Sequence, residues 1–220
     1  GDSNVAVGFN ALKTEDGNGF NVAVGAEALE TQNAGADAYN VAVGRAAGKA
    51  TTTGINNTLL GGLAGAALTD ADFNIAVGYG ALDSDTLGSR SVAIGYNSLA
   101  TQNFTTATDT YNTAVGFQAG TAVTTGVENT LIGGLAGSSL TDADFNTSVG
   151  RLALQTDTLG SRSTALGYGT LQAQNFTTAT DSYNVAVGFS AGNALTTGLR
   201  NNLFGAFAGD SLTDADDNVA

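Results

Sequence analysis

Five-residue segments of the type Asn-Val-Ala-Val-Gly recur along the whole chain. They begin at Asn4, Asn21, Asn40, Asn57, Asn74, Ser91, Asn112, Asn129, Asn146, Ser163, Asn184 and Asn201, with a truncated copy at Asn218. Most starts are seventeen positions apart, as Asn57 is from Asn40; Asn40 follows Asn21 by nineteen, and Asn112 and Asn184 follow Ser91 and Ser163 by twenty-one. The second position is mostly Val, Ile or Thr and the fourth is apolar, as in Val5/Val7 and Ile75/Val77, and a spacing of two predicts a short β-strand. The fourth position is aliphatic or aromatic in every copy. The pattern therefore predicts that positions two and four face one core and that the third points away from it. The fifth position is Gly throughout, which predicts a tight corner or a close backbone approach.

The eighth position is nearly always Ala, and the ninth alternates between Leu (Leu12, Leu82, Leu154) and Gly (Gly65, Gly137, Gly209). Where it is Gly, an aliphatic residue usually follows three positions later, as at Leu68, Val123, Leu140, Leu195 and Leu212. A close-packed interior demands such compensation in volume. Frequent Gly, Thr and Asn oppose a helix, as does the spacing of two. Identical side chains at a fixed interval fit coils stacked in register. The predicted fold is all-β: a parallel β-solenoid, or β-roll, of about twelve coils, mostly of the shorter, seventeen-position kind. Asn at the first position is expected to form a ladder of side-chain amides. A longer super-repeat of four coils begins at Asn40, Asn112 and Asn184, with LTDADFN and QNFTTATD recurring in it. Residues 1–220 read as a single repetitive segment, expected to belong to a longer fibre.

Composition narrows the function. With 20 Asp+Glu against 7 Lys+Arg, the formal net charge is −13. Nucleic acid and anionic membrane surfaces are poor partners for such a chain, and no apolar run is long enough for a membrane helix. There is no His or Cys, so the usual general base, thiol nucleophile and zinc ligands are missing. Carboxylates sit in turns shared by every repeat. We expect no enzyme activity and no cofactor. The absence of Pro beside 31 Gly suits a chain paired on both sides nearly throughout.

So short a coil encloses a thin core, and thin cores commonly need association. The third strand position, expected outside, is small and apolar: Ala6, Ala23, Ala42, Ala76, Ala93, Ala114, Ala165 and Ala186, with Leu59, Leu131 and Leu203 once per super-repeat. This column is the expected subunit interface; the plain alternative is a solvent-facing column that tolerates Ala. Three further features are candidates for chemistry. The D-x-D-x-N spacing of Asp70/Asp72, Asp142/Asp144 and Asp214/Asp216 matches the opening of a calcium loop but lacks its Gly and closing Glu, so a polar turn is the competing reading. The aromatics before the strand, such as Phe20, Tyr39 and Phe73, are packing caps or a glycan-stacking column. The two longest coils insert Thr-rich loops, Phe104–Tyr111 and Phe176–Tyr183. Loops carry function on rigid scaffolds, so Phe104, Thr105, Thr106, Thr108 and Tyr111 with Phe176, Thr177, Thr178, Thr180 and Tyr183 are the candidate receptor contacts. Length drift is the alternative.

SVAIGYNSLATQN at Ser91–Asn103 and STALGYGTLQAQN at Ser163–Asn175 resemble the head repeats of trimeric autotransporter adhesins of the YadA-like kind. NTAVGFQAG at Asn112–Gly120 and NVAVGFNAL at Asn4–Leu12 resemble repeats of phage tail-fibre-like proteins. The resemblance covers the whole chain. It implies a left-handed roll, three chains side by side and attachment as the role, although the spacing here is longer than the adhesin head's. The resulting expectation is a homotrimeric extracellular fibre segment, at a cell surface or on a virion, that extends or presents a surface for a glycan or protein receptor. An adhesin head that binds matrix or glycans directly, and a ligand- or ice-binding solenoid, are the alternatives.

Overall fold

The computed structural model describes residues 3–15 and 19–220. They contain strands and turns and no helix. The chain divides into two compact units, Gly1–Tyr111 and Asn112–Ala220, and the boundary falls where a super-repeat begins. Each unit is a parallel β-solenoid of six coils.

In the first unit the strands are β1 (Val5–Val7), β2 (Val22–Val24), β3 (Val41–Val43), β4 (Thr58–Leu60), β5 (Ile75–Val77) and β7 (Val92–Ile94), with the short β6 (Gly88–Ser89) and β8 (Thr108–Asp109). Consecutive coils pair in parallel and in register: Ala6, Ala23, Ala42, Leu59, Ala76 and Ala93 form one column. The second unit holds β9 (Thr113–Val115), β10 (Thr130–Ile132), β11 (Thr147–Val149), β13 (Thr164–Leu166), β15 (Val185–Val187) and β16 (Asn202–Phe204), with β12 (Gly160–Ser161) and β14 (Thr180–Asp181). Its column is Ala114, Leu131, Ser148, Ala165, Ala186 and Leu203. The short strands pair as β6 with β8 and β12 with β14, so each Thr-rich insertion is partly a strand of its own.

The strands face the opposite way from the sequence expectation. Ala23, Ala42, Leu59, Ala76, Ala93, Ala114, Leu131, Ala165, Ala186 and Leu203 are all fully buried inside their own coil. They are core, and the outer column expected to form a subunit interface is corrected accordingly. Ala6, in the first coil, is exposed. The second and fourth positions point outward: Val43, Leu60, Ile75, Ile94 and Ile132 are exposed, and Val77 and Val149 are half-buried. The physical reason is space. A coil this narrow accepts Asn, Ala or Leu, and Gly at positions one, three and five, whereas a Val on every strand would overfill it. Because strand side chains alternate, one position of parity exchanges the two faces entirely.

The first position shows how the interior is held. The Asn21 backbone N–H donates to Asn4 Oδ1 (2.8 Å), Asn57 to Asn40 Oδ1 (2.8 Å) and Asn74 to Asn57 Oδ1 (2.9 Å). In the second unit Asn129 donates to Asn112 Oδ1 (2.9 Å) and Asn146 to Asn129 Oδ1 (3.0 Å). The amide Nδ2 crosses the coil to a turn carbonyl, as Asn57 to Ala71 O and Asn129 to Ala143 O, both 2.7 Å. The ladder thus runs mainly from amide to backbone and satisfies buried main-chain groups that no strand could reach.

Volume is exchanged between three interior positions. Leu59 accompanies Gly65 and Leu68, whereas Ala76 accompanies Leu82. A Cβ on Gly137 would lie 2.7 Å from Leu131 Cδ2 and 2.8 Å from Leu140 Cδ1. The Gly at position five is required by backbone approach: at Gly25 and Gly44 φ is +139°, and a Cβ would overlap the carbonyl of the Gly in the next coil. Leu at position nine sits in the left-handed region, as at Leu29 (φ 46°) and Leu99 (φ 47°). That conformation costs roughly 1–2 kcal/mol in a residue bearing a Cβ. Full burial of the side chain offsets a cost of that size.

Candidate functional site

Each coil presents four outward residues in a row: the residue before Asn, positions two and four, and position six. In the fifth coil these are Phe73, Ile75, Val77 and Tyr79, and in the eleventh Tyr183, Val185, Val187 and Phe189. Across six coils they make a flat, largely apolar face on each unit. Rings of successive coils stack along it. Phe20 and Tyr39 lie 5.0 Å apart at 7°, Tyr79 and Tyr96 5.8 Å at 14°, and Tyr168 and Phe189 5.2 Å at 9°. Phe20 and Tyr39, both before the strand, are thus exposed members of a packed column.

At the edge of this face the two inserted loops build the same cluster twice. Arg90 lies over the Phe73 ring at 4.9 Å and the Tyr111 ring at 6.0 Å, and its Nε pairs with Asp109 Oδ1 at 2.9 Å. Arg162 lies 4.5 Å over Phe145 and pairs with Asp181 at 3.1 Å. The Tyr183 hydroxyl donates to Asp181 Oδ2 at 3.3 Å. Sequence reasoning missed these arginines, although their identical setting, LGSR at residues 87–90 and 159–162, marks a shared role.

Of the residues expected to contact a receptor, Thr105, Thr106, Thr177 and Thr178 are exposed, as are Tyr111 and Tyr183. Thr108 and Thr180 are half-buried within β8 and β14. Phe104 and Phe176 are only 6 % exposed, so they plug the widened coil and are corrected from receptor contacts to core. Beneath each plug lies a fully buried carboxylate. Asp85 accepts the Gly88 N–H (3.1 Å), the Phe104 N–H (3.0 Å) and Gln102 Nε2 (2.6 Å). Gln102 also donates to Ser91 Oγ (2.8 Å), which lies 2.6 Å from Thr110 Oγ1. Asp157, Gln174, Ser163 and Ser182 repeat the arrangement. The insertion is thus anchored to a polar interior, while its tip, residues 105–107 or 177–179, stands exposed.

The D-x-D carboxylates are used for stacking. Asp72 Oδ1 accepts the Ile55 N–H at 2.8 Å, Asp144 that of Val127 at 2.8 Å and Asp216 that of Leu199 at 2.7 Å, each in the preceding coil. Asp70 and Asp142 accept the hydroxyls of Thr53 and Thr125, and Asp214 that of its neighbour Thr213. No group of three acidic side chains able to hold a metal ion occurs among the described residues. Burial pushes the Asp144 carboxyl above its usual range. The Thr column at Thr52 and Thr69 is likewise engaged, each hydroxyl donating to a carbonyl of the next coil. No family model, curated protein or solved structure matches the chain.

Proposed function

We propose that this chain is a structural segment of an extracellular fibre, homotrimeric and tail-fibre-like or adhesin-like, that presents a repeated surface for attachment. One observation carries the reading: each unit displays the same loop cluster on a stack whose other coils, but for the nineteen-residue one at Asn21, share one length. Uniform coils supply rigidity, because each contacts only its neighbours and stability is distributed along the stack. Recognition then belongs where coils differ. The exposed loop tips, residues 105–107 and 177–179, belong to the same insertions as the Arg90 and Arg162 clusters. Two weak copies in one chain, multiplied by assembly, act through avidity.

Deleting residues 105–107 and 177–179 tests the reading. The deletions spare β8, β14 and the buried Phe104 and Phe176, so circular dichroism and melting should match the parent. Adhesion of the chain to whole cells and to a glycan array should fall at least tenfold. Undiminished adhesion, or no adhesion by the parent chain, would reduce the segment to a passive spacer.

A further inference from the structure

The outward face of each unit is largely apolar, flat and uncovered. Its columns at positions two and four hold Val, Ile, Leu and Thr, with one Asn and one Phe, and its flanking columns carry the stacked aromatics. Six strands about 4.8 Å apart, and a row spanning six residue steps of about 3.3 Å, give roughly 500 Å² per unit. A typical monomer's largest exposed apolar patch is about 300–600 Å², and this chain carries two. Each alone supplies more than half of the roughly 800 Å² per partner of a stable interface.

Charge indicates the occupant. All five arginines stand on these faces (Arg45, Arg90, Arg151, Arg162 and Arg200), with the carboxylates Glu128 and Asp217 among them and Asp109 and Asp181 paired at the edge to Arg90 and Arg162. The other described Asp and Glu, and both Lys, stand at other positions of the coil. Arg200 pairs with Asp217 at 2.6 Å. Copies of a chain of net charge −13 repel one another wherever carboxylates meet; on these faces the arginines balance the carboxylates and soften that repulsion. Three pairs of rings also cover each other's faces at 5.0–5.8 Å, which reduces the open ring area that a sugar would stack on and suits these faces to protein.

We infer that positions two and four, with the flanking aromatic and Arg columns, form the surface that each chain buries against a second copy of itself. The inference rests on the self-assembling fibre reading and assigns it a face: Ile132 and Leu166 lie in the contact, while Leu131 and Ala165 beside them lie in the core. An unpaired charge buried in such a contact is costly. The test is sedimentation equilibrium of the whole chain carrying Ile132→Lys and Leu166→Lys, with Thr106→Lys plus Thr178→Lys as the charge-matched control off the face. The double variant should need at least tenfold higher concentration to assemble, at an unchanged circular dichroism spectrum, and the control should assemble like the parent. Ile132→Thr with Leu166→Thr, which place a strand-compatible β-branched side chain at both sites, should weaken assembly in the same direction if the Lys variants fold poorly. Assembly unaffected by both pairs would overturn the face assignment while leaving self-assembly standing. A parent chain that stays monomeric would overturn both.

Discussion

Asp144 shows how much a single repeated residue carries. Its Oδ1 accepts the Val127 N–H of the preceding coil, and burial raises its pKa. The folded state therefore holds the carboxyl proton to higher pH than the unfolded chain does. Ionised Asp144 costs stability at neutral pH, and the cost disappears as pH falls through the raised folded value. Asp144→Asn keeps the acceptor oxygen and removes the charge. The variant should melt at or above the parent temperature at pH 7, and the difference should shrink by pH 3. A large loss at pH 7 would mean that the charge itself is needed. The sequence showed that these Asp residues recur in turns and offered local hydrogen bonding as one reading. It did not show that the donors sit one coil earlier, because an N–H a full repeat away along the chain becomes a neighbour only once the coils are stacked.

The strand, as an element, was legible in extent and pairing but not in facing. Parallel register across coils of all three lengths follows from the repeat itself. Facing does not, because both parities are apolar: Val-x-Val on one side and Ala or Leu on the other. Two signals pointed to the odd positions as core. Asn and Gly share their parity, and Leu59, Leu131 and Leu203 occur only where position nine is Gly. The latter is a volume constraint between residues that touch. Leu131→Ala should cost about 2–5 kcal/mol by opening a cavity. Gly137→Leu should cost about 1–3 kcal/mol by overpacking against Leu131 and Leu140. The backbone at Gly137 (φ 54°) already matches that of Leu82 and Leu154 (φ 54° and 51°). The double variant should accordingly be more stable than the sum of the two changes by at least about 1 kcal/mol, measured by urea denaturation. Strict additivity would place the two side chains apart. The inserted loops were legible as departures from the repeat. The buried Asp85 and Asp157 beneath them were not, since a carboxylate among Ser and Thr reads as a solvated turn until the coil closes around it.

At the scale of the whole molecule, three observations belong together: narrow coils filled by Ala, Asn and a few Leu, a largely apolar outward face on each unit, and arginines gathered on those faces. A thin core gains from association, and the chain holds no Cys for a disulfide in its place. The proposed fibre segment combines rigidity and repetition with self-association, and in that proposal the loop tips supply a repeated point of contact. Sedimentation equilibrium of the unmodified chain at micromolar concentration tests this most directly. The account predicts a single species of three times the 21.8 kDa chain mass, with a cooperative melt that shifts upward with concentration. A well-folded particle of one chain mass, melting independently of concentration, would contradict it.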